Sequence, residues 1–197
     1  MEGGRNMKKS IGAKLEFSPL PTLVIGTYNT DREPNVMTAS FGGIVSAAPK
    51  ALGISIRKAT LTYENIVRSK VFTVSIPSEN YIKEMDYFGL VTGKNNAKFL
   101  DTGLTATKGT FMDAPYVEEF PVNIECKLIR TIELGSHIQF IGEIVEVKIS
   151  EEMVDEKGNS DMAKLKPISF VGNDYSYYGL GDKLGKAFSI GKDFNRK

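Results

Sequence analysis

The chain has 197 residues and a mass of 21.7 kDa, with 41% apolar residues, enough for one sizeable core and too little for two large domains. Its 25 basic and 24 acidic side chains nearly cancel, so no net field draws it to nucleic acid or to an anionic membrane surface. The single cysteine, Cys126, excludes an internal disulfide or multi-cysteine metal cluster and suits a reducing cytoplasm, and the single histidine, His137, excludes a histidine metal cluster.

Residues 1–16 read as an N-terminal extension before one domain over 17–197. Lys14 and Glu16 interrupt any apolar region after the basic start, so no signal peptide is expected; residues 1–6 read either as native or as a leader, with Met7 an alternative start. No apolar run approaches the ~18 residues of a membrane span. Thr22 to Tyr28, rich in β-branched and aromatic residues, predicts a first strand. The turn formers of Asn29 to Pro34 link it to a second strand at Asn35 to Met37, as a hairpin. Phe41 to Val45 and Ala51 to Ile56 predict two short strands split at Ala48-Pro49, where proline lacks a ladder donor.

A helix is expected from Thr62, read as its N-cap, to Ser69, with Glu64 near its start and Arg68 and Lys70 near its end to suit the dipole. Val71 to Ile76 then reads as a strand, Asn80 to Gly89 as a helix stopped by glycine, and Gly93 to Asn96 as a polar connector. Val122 to Leu134 alternates apolar and polar residues, which makes Cys126 a buried structural thiol. His137 to Ile149 begins likewise, so two long antiparallel strands should meet at Gly135-Ser136, with a bulge near Ile141-Gly142. The acids of Asp155 to Asp161 miss the offsets of a calcium loop, leaving a solvated loop. Ile168 to Phe188 carries several aromatics and is expected to pack rather than hang free. Many short strands with few helices argue for a closed antiparallel barrel.

Chemistry concentrates between Asn35 and Asn65. Arg57 offers a planar fork of donors suited to phosphate, Ser55 and Thr62 add hydroxyls, and a helix start leaves unpaired N–H groups that favour an anion. Lys58 is a weaker phosphate candidate. Small residues at Thr38, Ala39 and Ser40 let a flat ligand approach the main chain. The combination suggests a nucleotide-like cofactor.

The segment Asn35-Val36-Met37-Thr38-Ala39-Ser40, the strand end Ser55-Ile56-Arg57, Thr62 to Ile66, Thr92-Gly93-Lys94 with Lys98-Phe99, and Leu134-Gly135-Ser136-His137 followed by Gly142-Glu143 occur in that order. Together they resemble the flavoredoxin branch of the flavin reductase-like, FMN-binding split-barrel family. The resemblance implies a mainly β, six-stranded antiparallel Greek-key split barrel with peripheral helices, forming a cytoplasmic homodimer with FMN near the subunit interface. By position it assigns Asn35 to the polar edge of the flavin ring, and Met37, Thr38, Ala39 and Ser40 to backbone and small-side-chain contacts with it. Phe41 stands where relatives often have Trp, which keeps an aromatic wall and loses an indole donor. Ser55, Arg57 and Thr62 form the phosphate set. Lys98 and His137 match polar cofactor positions, and Phe170 matches a second aromatic; a core or surface role is the alternative for each.

No Gly-x-Gly-x-x-Gly fingerprint follows a strand, so NAD(P)H would have to stack on the flavin in an open cleft. In the family, flavin and nicotinamide carry hydride transfer without an obligatory protein acid or base, so no catalytic residue is expected. The implied role is an NAD(P)H-dependent FMN oxidoreductase or a partner of a redox protein. An electron carrier without nicotinamide activity and a non-catalytic FMN binder are the other classes.

Overall fold

The computed structural model describes residues 7–195; residues 1–6, read above as native or leader, lie outside them. Short strands β1 (Leu20–Pro21) and β2 (Leu23–Tyr28) lead into β3 (Pro34–Ala39), β4 (Gly42–Ala47) and β5 (Lys50–Ile56). Helix α1 (Leu61–Ser69) crosses to β6 (Val71–Ile76), followed by α2 (Ile82–Leu90), α3 (Lys98–Thr102), β7 (Ala106–Lys108) and β8 (Pro115–Val117). The long strands β9 (Val122–Leu134) and β10 (His137–Ile149), a short α4 (Met162–Leu165), and the pair β11 (Ile168–Val171) and β12 (Ser176–Gly179) complete the chain.

The main sheet is antiparallel throughout, in the order β3-β2-β6-β9-β10-β5-β4. It has seven strands, the number read along the sequence and one more than the six implied by the resemblance, with 42–47 the short edge strand expected at Phe41 to Val45. The sheet curls on itself: Leu23, Ile25 and Ala39 from one end share a core with Leu52, Ile54 and Ile56 from the other, across Phe72, Ile124 and Phe140. Burying each of these side chains contributes roughly 1.5–3 kcal/mol. A second core lies outside β2 and β3, where Val24 and Val36 meet Met85 and Phe88 of α2, Phe99 of α3 and Val117 of β8. Both faces of β2 are thus covered, which explains its continuous apolar sequence.

The expected bulge is present, with the β9–β10 register shifting at Ile141/Gly142. A Cβ at Gly142 would lie 2.6 Å from the Phe72 ring and 2.9 Å from Cys126 Cβ, so glycine lets the bent strand close on the core. Three helix expectations are corrected. The cap of α1 is Thr60, extended in its backbone, whose Oγ1 accepts the Tyr63 N–H at 3.1 Å; Thr62 lies in the first turn and points inward. Gly89 does not stop α2, which runs one residue further, and its bare Cα faces Thr38 across a 3.4 Å gap to a built Cβ. Segment 98–102, unassigned from sequence, is a helix. The 168–188 tail divides: β11 pairs with β1 and β12, whereas Leu184 and Phe188 beyond Gly179 are exposed, held by no strand partner.

Candidate functional site

Strand β3 ends the sheet, so one row of its main-chain donors and acceptors has no strand partner. Its side chains are committed elsewhere. Met37 and Ala39 face the main core, while the Thr38 hydroxyl donates to the Met85 carbonyl of α2. Asn35, on the Met37 face, is buried at 5% exposure against α1. Its Nδ2 donates to Thr62 Oγ1 at 3.1 Å, and its Oδ1 has no partner. One strand away, Asn65 Nδ2 donates to Thr27 Oγ1 at 3.0 Å and again leaves Oδ1 unpaired. Four polar side chains thus lie buried beneath α1, with acceptor capacity to spare.

Asn35 also lines a cavity of about 760 Å³ together with Glu33, Leu61, the Gly93–Ala97 connector, Phe99 and Leu104. Such a volume lies in the range of small-molecule and cofactor pockets, ~300–1,000 Å³. Lys94 reaches from the connector to Glu64 of α1, Nζ to Oε1 2.7 Å, and closes one side of the mouth. Lys98 is not in this wall. Its ammonium, 3% exposed, turns under α2 and donates to the Phe88 carbonyl at 2.7 Å, while burial lowers its pKa to about 8. It fastens the end of α2 to the segment that carries the cavity wall.

A second, shallower hollow of about 290 Å³ lies at the far end of the Asn35–Phe41 segment. Phe41, Ser55 and Gln139 line it over the bare positions Gly43 and Gly53. The β5–β10 register explains the grouping: Ser55 pairs with Gln139, Ile56 with Ile138, and Arg57 and His137 come next on the same face. Ser55 N donates to the Phe41 carbonyl at 2.7 Å, which binds the end of β5 to the segment after β3. The Phe41 ring is 5.4 Å from the His137 ring, tilted by 45°, and His137 Nδ1 shares a 2.8 Å hydrogen bond with Ser136 Oγ. Arg57 is exposed, and its carbonyl accepts from Thr60 Oγ1 at 2.9 Å, which sets it beside the start of α1. Lys58 pairs with Glu133 instead.

The family model for the flavin reductase like domain matches residues 15–176. The chain belongs to this family. This flavin reductase-like chain is 46% identical to the flavoredoxin of Desulfovibrio vulgaris (Miyazaki F), covering 94% of this chain and all of that one with a TM-score of 0.91. With the flavoredoxin of Methanosarcina acetivorans the identity is 29%, the coverage 95% and 98%, and the TM-score 0.85. It is also 25% identical, over 70% of its length and 75% of the relative's, to an NADH-dependent FAD reductase of Streptomyces globisporus. The split-barrel fold expected from the resemblance is the fold of these relatives.

In the flavin reductase-like chain the sequence-derived residues fall into two groups. Asn35 lines the large cavity and bonds Thr62 behind its wall; Phe41, Ser55, Arg57 and His137 gather at the other end of the segment, with Met37–Ser40 between them. Thr62, named for phosphate, is bonded to Asn35, named for the ring, so those two roles converge at the start of α1. Phe170 stands apart: its ring packs on Tyr177 at 5.7 Å and Tyr175 at 6.4 Å and lines neither hollow. Sequence reasoning missed Leu61, Glu33 and Gln139, and named Phe99 only as part of the Lys98-Phe99 motif. Gln139 was within reach, two positions beyond His137 on an alternating strand; the rest are ordinary residues placed by tertiary contacts.

Proposed function

We propose that the chain binds FMN without a covalent link, as a cytoplasmic homodimer, and passes electrons through it from NAD(P)H or a redox protein to flavin or another acceptor. The observation that carries this reading is the 760 Å³ cavity walled by buried Asn35, whose Oδ1 lies without a partner just behind that wall, under Gly93. A buried acceptor without a donor costs about 1–3 kcal/mol, and an N–H or O–H of the cofactor supplies the donor once the amide turns into the cavity. The segment from Asn35 to Phe41 spans about 20 Å at ~3.3 Å per residue, room for a ring, a polyol chain and a phosphate laid end to end.

The phosphate lies at the start of α1, where the first-turn N–H groups and Arg57 offer donors to an anion. The free edge of β3 offers main-chain hydrogen bonds to the polar edge of the ring, and Phe41 and His137 form an aromatic wall. FMN, when bound, supplies the electron-accepting and electron-donating chemistry. The protein holds it, orients it and fixes the polar groups around it, which sets its potential. Likeness to two proteins named flavoredoxin favours a protein donor, and likeness to an NADH-dependent reductase favours NAD(P)H.

The visible absorbance of the purified protein under anaerobic conditions, before and after NADH or NADPH, tests the reading. A flavin spectrum that bleaches quickly establishes a nicotinamide-dependent oxidoreductase. A bound flavin that stays oxidised favours the carrier or the non-catalytic binder, and failure to take up FMN on reconstitution sinks the proposal.

A further inference from the structure

The 760 Å³ cavity extends past the place proposed for the cofactor. FMN laid along 35–41 takes the Asn35 edge of it, whereas Glu33, Phe99, Leu104 and Ala106 line a part that lies off that segment. Glu33 is built into this part of the wall. Asn29 Oδ1 accepts the N–H groups of Asp31 and Glu33 at 3.0 and 2.8 Å, and Asn29 Nδ2 donates to Glu33 Oε2 at 2.8 Å, which fixes the carboxylate. The Arg32 guanidinium is gripped by both oxygens of Asp113, at 2.5 and 2.8 Å, so the turn from 29 to 33 is anchored to the loop between β7 and β8.

Charge is what distinguishes this wall. Lys94 is the only cation in the cavity lining, and Glu64 neutralises it at 2.7 Å. Among the described residues no cation pairs with Glu33, and its Oε1 accepts no hydrogen bond. An uncompensated carboxylate with a free acceptor oxygen thus stands beside the apolar surfaces of Phe99, Leu104 and Ala106. Pockets of this kind bind by their apolar walls and orient by the few polar groups among them.

We infer that this part of the cavity is a second binding site, for a flat aromatic molecule that is uncharged or cationic and carries N–H donors, with Glu33 as the residue that sorts ligands by charge. Phe99 and Leu104 hold the ring, and Glu33 Oε1 accepts from its N–H. An anionic molecule of the same outline meets like charge with no free cation to offset it, which is rejection rather than mere lack of attraction. The inference rests on the proposed function in one respect, the placing of FMN along 35–41, which leaves this wall to another molecule.

Benzamidine, benzamide and benzoate share a ring and an outline and are cationic, neutral and anionic in turn. Their binding to the full-length chain, with whatever flavin it carries, is measured by ligand-observed NMR titration. Benzamidine and benzamide should each bind about tenfold more tightly than benzoate, which corresponds to about 1.4 kcal/mol. Glu33 lies at the exposed rim, so the gap should shrink severalfold in about 1 M salt, where the screening length is about 3 Å. Glu33→Gln keeps an oxygen for the Asn29 amide and should close the gap to within about twofold. Benzoate binding as tightly as benzamide overturns the inference, as does no binding of any of the three, or a gap that survives both Glu33→Gln and high salt. Flavin content, read separately from absorbance, tells the two readings apart: charge preference in a chain that takes up no FMN upholds this site and removes the cofactor, and FMN uptake without charge preference removes this site alone.

Discussion

Replacing Asn35 by leucine, close in shape and without polar atoms, separates binding from folding. In the FMN-free protein the exchange removes one buried hydrogen bond, to Thr62 at 3.1 Å, worth about 1 kcal/mol net. It also removes the unpartnered Oδ1, whose burial costs about 1–3 kcal/mol, but leaves buried Thr62 Oγ1 without its partner at a similar cost, so stability should fall by only about 1 kcal/mol. In the loaded protein the cofactor's donor loses its acceptor in a buried wall, which weakens FMN by about 1–3 kcal/mol, roughly 5- to 150-fold in Kd. Urea unfolding of the FMN-free protein and an FMN titration by flavin fluorescence give the two numbers. Gly93→Ala should reproduce the loss of affinity by another route, since its Cβ would lie 1.9 Å from Asn35 Oδ1 and force the amide aside. Unchanged FMN affinity in Asn35→Leu, with a stability loss above about 2 kcal/mol, would refute the reasoning and leave Asn35 a fold element only.

Lys98 should make stability rise with pH. Its pKa falls from 10.5 to about 8 through burial, so between those values the folded state has lost a proton that the unfolded state keeps; the gain is at most about 3 kcal/mol, and Lys98→Met should flatten the pH dependence of urea midpoints across that window. Glu125 is fully buried; burial raises its pKa, but the N–H groups of Met112, Thr110 and Phe111, at 2.7–2.8 Å, and the Lys148 ammonium outweigh it and hold the carboxyl below its usual range. Its stabilisation is complete above the unfolded pKa and fades as pH falls through the lowered folded value, and Glu125→Gln, which turns an NH₂ toward two donors whichever oxygen it replaces, should cost roughly 3 kcal/mol in thermal unfolding. Cys126, buried and with its pKa pushed up to about 12, should react with a thiol reagent only after unfolding, which a denaturant-dependent labelling course checks.

The strands were legible where one face is buried and the other wet. Alternation alone placed β9 and β10 to the residue, and the shift of apolar phase at Ile141-Gly142 marked the bulge. Local signals failed where two residues of one type compete or where a contact from elsewhere decides. Thr60 and Thr62 are equally good caps in sequence; Asn35 decides between them by drawing Thr62 inward, which leaves Thr60 outside to cap. Gly89 reads as a stop, yet α2 runs on to Leu90, and a Cβ at Gly89 would meet Thr38 only at an ordinary 3.4 Å contact. Lys98 reads as a cofactor contact or a surface salt bridge, and instead its ammonium is buried against the Phe88 carbonyl of α2.

The site follows the same division. The groups that the resemblance singled out, Asn35, Ser55, Arg57 and His137, are polar residues at strand ends, where ladder hydrogen bonds run out and side chains must find other partners. The shape of the site was not legible, because both hollows are made by what is missing: a Cβ at Gly43, Gly53 and Gly93, and a strand beyond the edge of β3. A sequence states which groups are present, while an empty volume is fixed only when distant segments such as 93–97 and 61 close around it. The unpaired Oδ1 of Asn35 joins the two descriptions, since a buried acceptor without a donor is both a sequence-named group and a statement about what the cavity is built to receive.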